Sequence, residues 1–302
     1  MKTDKPLHFL GLSPGDAGPQ PSRCRVLPVP FAATVSYEGG TDQGPQAILR
    51  ASAQVELYDR AFDSEAYQDY GVETLPAFAA HGEDAEAFVT RLAAYAEDLH
   101  DSQRLLVGLG GEHTVTIGLA RGLRRASGAP LTLVQIDAHA DLRDHYDGNA
   151  YSHACITRRL LDDGVDKVAL LGVRSVCPEV VRLAEQDPRI HLQWADDIQA
   201  DADGRYLERL AEQIEGDDVY LTIDVDGLDP GVIPATGTPE PGGLSWHQAL
   251  SIIRVTTRVA RVTGFDITEL APRPGLHAAD FAAAKLTYLA MNMIAGSRGW
   301  LR

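Results

Sequence analysis

The run Leu131-Thr132-Leu133-Val134-Gln135-Ile136-Asp137-Ala138-His139-Ala140-Asp141 changes character halfway along. Its first six residues are almost wholly apolar, the mark of a strand buried on both faces. Its last five set Asp137, His139 and Asp141 at every second position, and side chains two apart on an extended backbone point the same way. Charged groups are seldom fully buried unless they are paired or bound to metal. The run therefore reads as a core strand that delivers metal ligands beyond its carboxyl end. A second stretch repeats the pattern, with Val219-Tyr220-Leu221-Thr222-Ile223 followed by Asp224-Val225-Asp226. Two strands ending in carboxylates and a histidine point to a two-metal site.

Outward from these runs, short apolar segments alternate with helical patterns. The strands expected are Arg25–Val29, Gln103–Gly108, Leu131–Ile136, Val168–Gly172, Ile190–Gln193, Val219–Ile223 and Val262–Ile267. Helices are expected over Gly44–Ala53, Asp84–His100, Val115–Ser127, His153–Asp163, Pro178–Glu185, Arg205–Ile214, Ser245–Val259 and Ala279–Ala295. Strands alternating with helices imply βαβ units, right-handed crossovers and a parallel α/β sheet. Ligands of such sheets collect beyond the carboxyl ends of the strands, where each polar cluster of this chain sits.

The whole composition agrees with a folded, water-facing protein. The chain has 302 residues, 44% hydrophobic and 23% charged, enough for one large core or two modest ones. No segment approaches the roughly 20 apolar residues that span a bilayer, and Met1–Gln20 has neither signal-peptide nor transit-peptide character, so a cytoplasmic location is expected. Pro14–Ser22, rich in Gly and Pro, is expected to form a loose arm. A net charge of −16 argues against a nucleic-acid partner and suits bound metal, solubility or a small cationic ligand. Cys24, Cys155 and Cys177 form no CxxC pair and read as buried thiols. Cys155 stands two residues after His153, yet a thiol nucleophile beside a metal cluster would be redundant.

Three further clusters extend the site. Gly108-Leu109-Gly110-Gly111-Glu112-His113 follows one strand and precedes a helix. No Lys-Ser/Thr follows it as in a P-loop, so the alternative is a tight turn that presents His113. With Asp137, His139, Asp141, Asp224 and Asp226, His113 completes a set of two imidazoles and four carboxylates. Paired divalent ions share bridging carboxylates, and Asp137 and Asp224 are the candidates. Mixed oxygen and nitrogen donors suit Mn²⁺, with Co²⁺, Ni²⁺ and Zn²⁺ as alternatives. His153 either opens a helix or relays protons. Glu269 either pairs with a surface arginine or clamps a guanidinium.

These residues resemble the ureohydrolase family, which contains arginases, agmatinases and related amidinohydrolases. The likeness rests on Gly110-Gly111-Glu112-His113, on Asp137-Ala138-His139-Ala140-Asp141 and on Asp224-Val225-Asp226-Gly227-Leu228-Asp229-Pro230. It extends through Ser36–Thr41, Gly44–Ile48 and Thr236–Leu244, so it covers nearly the whole chain from Arg25. The resemblance implies a three-layer α/β/α fold around a mainly parallel sheet, with one domain over 25–302 and an arm over 1–24. It implies two Mn²⁺ ions, one held by His113, Asp137, Asp141 and Asp224, the other by Asp137, His139, Asp224 and Asp226. It also implies proton transfer by His153, guanidinium binding by Glu269, and assembly as a homotrimer or homohexamer.

The substrate implied is a small cationic guanidino compound. Arginases carry an Asn where this chain has Tyr151, and a Gly where it has Ala154. The string Gly148-Asn149-Ala150-Tyr151-Ser152-His153-Ala154 is similar instead to bacterial agmatinases, as is Glu240 in its loop. The expected reaction is therefore hydrolysis of agmatine to putrescine and urea, with Tyr151, Asn149 and Arg143 as specificity candidates. A guanidinobutyrase or other guanidino-acid hydrolase would use Arg143 to face a distal carboxylate. A non-catalytic homologue would lack some of the ligands, all of which are present here. A related metal-dependent deacylase would lack Glu269 and the second-metal set.

Overall fold

Apolar strands, most of them buried on both faces, line up in one sheet. In the computed structural model, which describes residues 7–13 and 15–302, the strands are β1 (Cys24–Val29), β2 (Val72–Thr74), β3 (Leu105–Gly110), β4 (Thr132–Ile136), β5 (Lys167–Val173), β6 (Ile190–Trp194), β7 (Asp218–Asp224) and β8 (Arg261–Thr268). They lie in the order β2-β1-β3-β8-β7-β4-β5-β6, and every neighbouring pair is parallel. Strands β7 and β8, the last along the chain, therefore stand at the centre of the sheet, between β3 and β4.

Helices cover both faces: α1 (Gly44–Ser52), α2 (Tyr67–Tyr70), α3 (Ala85–Leu99), α4 (Val115–Ser127), α5 (Ile156–Asp162), α6 (Pro178–Gln186), α7 (Ala195–Ala200), α8 (Arg205–Ile214), α9 (Trp246–Val259) and α10 (His277–Ser297). The period-two alternation of the strands sorts the core. Val26, Val107, Val134 and Leu221 pack with Ile48 of α1, Leu210 of α8, Ile252 of α9 and Leu286 of α10. Their neighbours Leu27, Leu106, Leu133 and Tyr220 pack on the other face with Phe88 of α3, Ile117 of α4, Leu160 of α5 and Val180 of α6. This is the three-layer α/β/α arrangement that the resemblance implies. Local chemistry stops and starts the helices. Asp84 caps α3 by accepting from Ala87 N–H at 2.9 Å. Ser245 and Gln248 form a reciprocal capping box on α9.

All seven expected strands are present, with ends shifted by up to two residues. Beyond expectation are β2, α2 and α7, each too short to show a period, and two more residues on β3. The expected helix from His153 begins as a 3-10 turn, His153–Cys155, before α5. The expected arm is largely exposed in its described part but anchored at a few points. Phe9 and Leu10 are buried, and their N–H groups donate to Thr74 Oγ1 and Ser52 Oγ at 2.9 and 2.8 Å. Residues 1–6 and Pro14 of that arm lie outside the described residues. No helix among the described residues is long and apolar enough to cross a membrane.

Candidate metal centre and active site

Register brings the polar strand ends together. Ile136 pairs with Ile223, Asp224 with Thr268 and Leu109 with Ile267. The residues that follow β3, β4, β7 and β8 thus meet at one end of four adjacent strands. The loops are then shaped by their own carboxylates. His139 N–H donates to Asp137 Oδ1 at 2.6 Å, Asp226 N–H to Asp224 Oδ1 at 2.9 Å, and Ala138 N–H to Asp226 Oδ1 at 3.1 Å. Asp141 and Glu269 have left-handed backbones, with φ of 49° and 63°. Such conformations are uncommon for residues other than glycine and concentrate at functional sites.

His113 Nδ1 lies 3.1 Å from Asp137 Oδ2, 3.0 Å from Asp141 Oδ2 and 3.3 Å from Asp224 Oδ2. His139 Nδ1 lies 3.1 Å from Asp226 Oδ2 and 3.5 Å from Asp137 Oδ1. Two groups could each hold an ion, with ligand atoms mutually within 4.8 Å: His113, Asp137 and Asp224, and Asp137, His139 and Asp226. Asp137 belongs to both, as a bridging ligand must. Asp224, the other expected bridge, groups with the first set, and Asp141 closes on the same imidazole.

A hydrogen-bond relay tests whether cations fit. Thr222 Oγ1 donates to Asp266 Oδ1 at 2.6 Å and lies 2.8 Å from His113 Nε2. Thr116 and Tyr220 also donate to Asp266, at 2.8 and 2.7 Å. With the Thr222 proton committed to Asp266, its oxygen receives the Nε2 proton of His113. That leaves Nδ1 bare, buried and without a hydrogen-bond partner, aimed at three carboxylate oxygens. Lone pairs facing lone pairs in a buried site are stable around a cation. Two of these carboxylates resist ionising without one. Burial and the neighbouring Asp137 push Asp141 up to about 7. Burial, then Asp226 and Asp137, hold Asp224 well above the carboxylate range. Burial opposes charge on His139, but Asp226 and Asp137 outweigh it and raise the ring to about 12. So many buried carboxylates ionise together when positive charge is supplied. The donor set of carboxylate oxygens and imidazole nitrogens is that of a hard or borderline divalent metal. Gln135 Nε2 steadies Asp137 Oδ2 at 2.7 Å and is itself held by Thr157.

Above this cluster is a cavity of about 280 Å³, whose wall includes His113, His139, His153, Asp224, Asp226 and Glu269. Glu269 Oε1 accepts His113 N–H at 2.6 Å, and its own N–H donates to Gly111 O at 2.8 Å. Burial, then the nearby Glu112, raise its carboxyl to about 8. Burial above all holds His153 down to about 4, so its ring is neutral at ordinary pH. Tyr146 packs edge-on against it, with ring centroids 5.6 Å apart.

The specificity candidates divide. Arg143 is exposed and lines the cavity, its guanidinium 5.3 Å from the centre of the Tyr146 ring. Tyr151 and Asn149 do not line it. Asn149 instead shapes the loop, accepting Tyr151 N–H on Oδ1 at 2.8 Å and exchanging backbone hydrogen bonds with Tyr146. The Tyr151 ring packs against the core, 5.6 Å from the Arg121 guanidinium. Cys155 is buried, and burial first of all raises its thiol to about 11, so it carries no thiolate. Glu240, in its loop, holds Arg174 through its backbone carbonyl at 2.7 Å.

Sequence reasoning missed Thr222 and Asp266 behind His113, Glu38 at the cavity wall, and the Glu112 carboxylate. Glu112 is fully buried and accepts from Ala33 N–H, Thr34 N–H and Thr34 Oγ1 at 2.8, 2.7 and 2.9 Å. The signal was its charge beside His113 in Gly110-Gly111-Glu112-His113, which was read for its glycines and histidine alone.

Comparison with known proteins places this geometry. Residues 22–292 match the model of the arginase family. An N(1)-aminopropylagmatine ureohydrolase from Synechocystis is 37% identical, over 88% of this chain and 87% of that protein. An agmatinase from Pyrococcus horikoshii is 34% identical, over 89% and 91%. The solved structure of an agmatine ureohydrolase from Thermoplasma volcanium superposes with a TM-score of 0.77 at 29% identity, covering 92% of each chain.

Proposed function

The chain belongs to the arginase family, and we propose that its site hydrolyses the guanidino group of agmatine or its N1-aminopropyl derivative, releasing urea. As an agmatinase-like hydrolase it needs a nucleophile for a resonance-stabilised carbon. Two Mn²⁺ ions held by His113, Asp137, Asp141, Asp224, Asp226 and His139 would supply it by lowering the pKa of water toward neutrality. The observation that carries the reading is the pair of ligand groups sharing Asp137, beneath a cavity walled by both Glu269 and His153.

The remaining work falls to the side chains of the cavity. Glu269 Oε1 is tied to His113 N–H, and its other oxygen has no hydrogen-bond partner among the described residues. A guanidinium entering beside it finds a carboxylate acceptor with no competing cation. Its charge restores the ionised form that burial disfavours. His153, neutral at ordinary pH, accepts a proton and passes it to the departing amine. Val35, Leu142, Val176 and Val180 give the wall its apolar part, suited to a methylene chain. Glu38 at the same wall is acidic and solvent-facing; one oxygen lies 3.4 Å from the Arg273 guanidinium, and an amine on the substrate's tail would compete for it. That feature, with the names of several relatives, supports the longer, aminopropylated substrate.

Arg143 at the cavity supports a second reading, a guanidino acid whose carboxylate it would face. Urea release by Mn²⁺-loaded protein from agmatine, N1-aminopropylagmatine, arginine and 4-guanidinobutyrate separates the readings. Turnover of the first two, with arginine inert, is expected. Preference for 4-guanidinobutyrate would move the assignment to Arg143. Silence on every substrate with two ions bound per chain would leave a non-catalytic homologue. Oligomers, as trimers or hexamers, belong to the same proposal and are read by light scattering.

A further inference from the structure

Thr34 lies in an irregular loop far along the chain from His153, yet the two are joined twice. His153 N–H donates to Thr34 Oγ1 at 3.0 Å, and His153 Nδ1 lies 3.2 Å from the same oxygen. Thr34 Oγ1 in turn donates to Glu112 Oε1 at 2.9 Å. A hydroxyl has one proton to give and two lone pairs to receive with. Here the proton goes to Oε1 of a carboxylate whose other oxygen, Oε2, is held by Ala33 N–H and Thr34 N–H. Both lone pairs face His153, and one takes its backbone N–H. The other is satisfied only if Nδ1 carries the ring proton.

We propose that Thr34, anchored by Glu112, is a positioning residue that sets the tautomer of His153, keeping the proton on Nδ1 and turning a bare Nε2 to the cavity. The ring lines that cavity and is steadied on its side by Tyr146. A neutral imidazole in the opposite tautomer would present an N–H to the reaction and could accept no proton there. The same construction, histidine to threonine hydroxyl to buried carboxylate, stands behind His113 through Thr222 and Asp266. The fold thus orients two imidazoles by one device, one toward the ligand cluster and one toward substrate. Glu112 follows Gly111 and precedes His113, so one short loop anchors both halves of the site. Ser152 Oγ lies 3.3 Å from the same Nδ1 and can accept its proton.

This inference rests on reading His153 as the proton-transfer group, so His153→Asn is measured beside it. The wild type, Thr34→Val and Thr34→Ser are compared on agmatine and N1-aminopropylagmatine, with metal content checked for each. Thr34→Val keeps the shape and removes the hydroxyl. It should lower kcat about 10- to 100-fold, within the range of general acid–base catalysis, with KM and bound metal unchanged. Thr34→Ser should restore most of the rate. In ¹⁵N-histidine-labelled protein loaded with diamagnetic Zn²⁺, His153 should show a protonated Nδ1 and a bare Nε2. Thr34→Val should lose that preference. Wild-type kcat in Thr34→Val, while His153→Asn is inactive, would overturn the tautomer role alone. An active His153→Asn would overturn the proton-transfer reading itself. Should Thr34→Val fail to fold, the wild-type ¹⁵N spectrum decides, and a bare Nδ1 sinks the proposal.

Discussion

At the scale of single residues, the site is built from charges that burial would otherwise forbid. His153 illustrates the consequence for stability. Its pKa is about 4 in the folded protein, against an ordinary value near 6.5. Between those values the unfolded chain binds more protons, so stability rises with pH in that window. The contribution is complete above the unfolded value and is lost as pH falls toward 4. His153→Asn should therefore lose less stability than wild type on going from neutral pH to about pH 5, by about 1–2 kcal/mol. Urea melts of both proteins at both pH values measure it, and equal acid losses would refute the buried, neutral ring. The ligand residues were legible because Asp137, His139 and Asp141 sit on one strand end at alternate positions. Thr222 and Asp266 were not, since a threonine within a strand pattern looks like a strand former and nothing more. Thr34 was hidden differently: only tertiary folding brings it to His153.

Elements carry the next level, and the loop after β3 shows how tightly they meet. Gly111 is in no left-handed conformation, so its glycine answers a need for space. A Cβ there would stand 2.1 Å from Phe31 O and 2.8 Å from Phe31 N. The backbones must touch because Gly111 N–H donates to Val29 O and Glu112 N–H to Phe31 O, at 2.9 and 2.8 Å. Gly111→Ala should cost about 1–3 kcal/mol through overpacking and move Glu112 away from Thr34. A lower urea midpoint together with reduced activity is expected, and a variant matching wild type in both would contradict the argument from clearance. The expectation of a tight turn at these glycines placed His113 correctly but attributed the sequence to turning instead of close approach. Long periodic elements such as α3, α4 and α8 were readable almost to the residue. The strand β2 was not, because three residues show no alternation, and glycines disguised the last turns of β3 as loop.

For the whole molecule, the four aspartates at the strand ends set the terms. Bound cations relieve their mutual repulsion, so folding and metal binding are linked. Chelation should lower the melting temperature by several degrees, since a ligand at 100 times its Kd contributes about 2.7 kcal/mol per site. Scanning fluorimetry with and without chelator, followed by Mn²⁺ readdition, checks this. An unchanged melting temperature after confirmed metal removal would mean that the cluster is satisfied by protons alone. The order of strands has a further bearing, on synthesis. Because β7 and β8 fill the middle of the sheet, a chain still emerging from the ribosome has its flanking strands made while its central ones are missing. β3 and β4 then expose edges and apolar faces to the cell until the last quarter of the message is translated. A holding chaperone would have these edges to cover during translation, and a chain stopped before β8 would lack the centre of its sheet and not only its end.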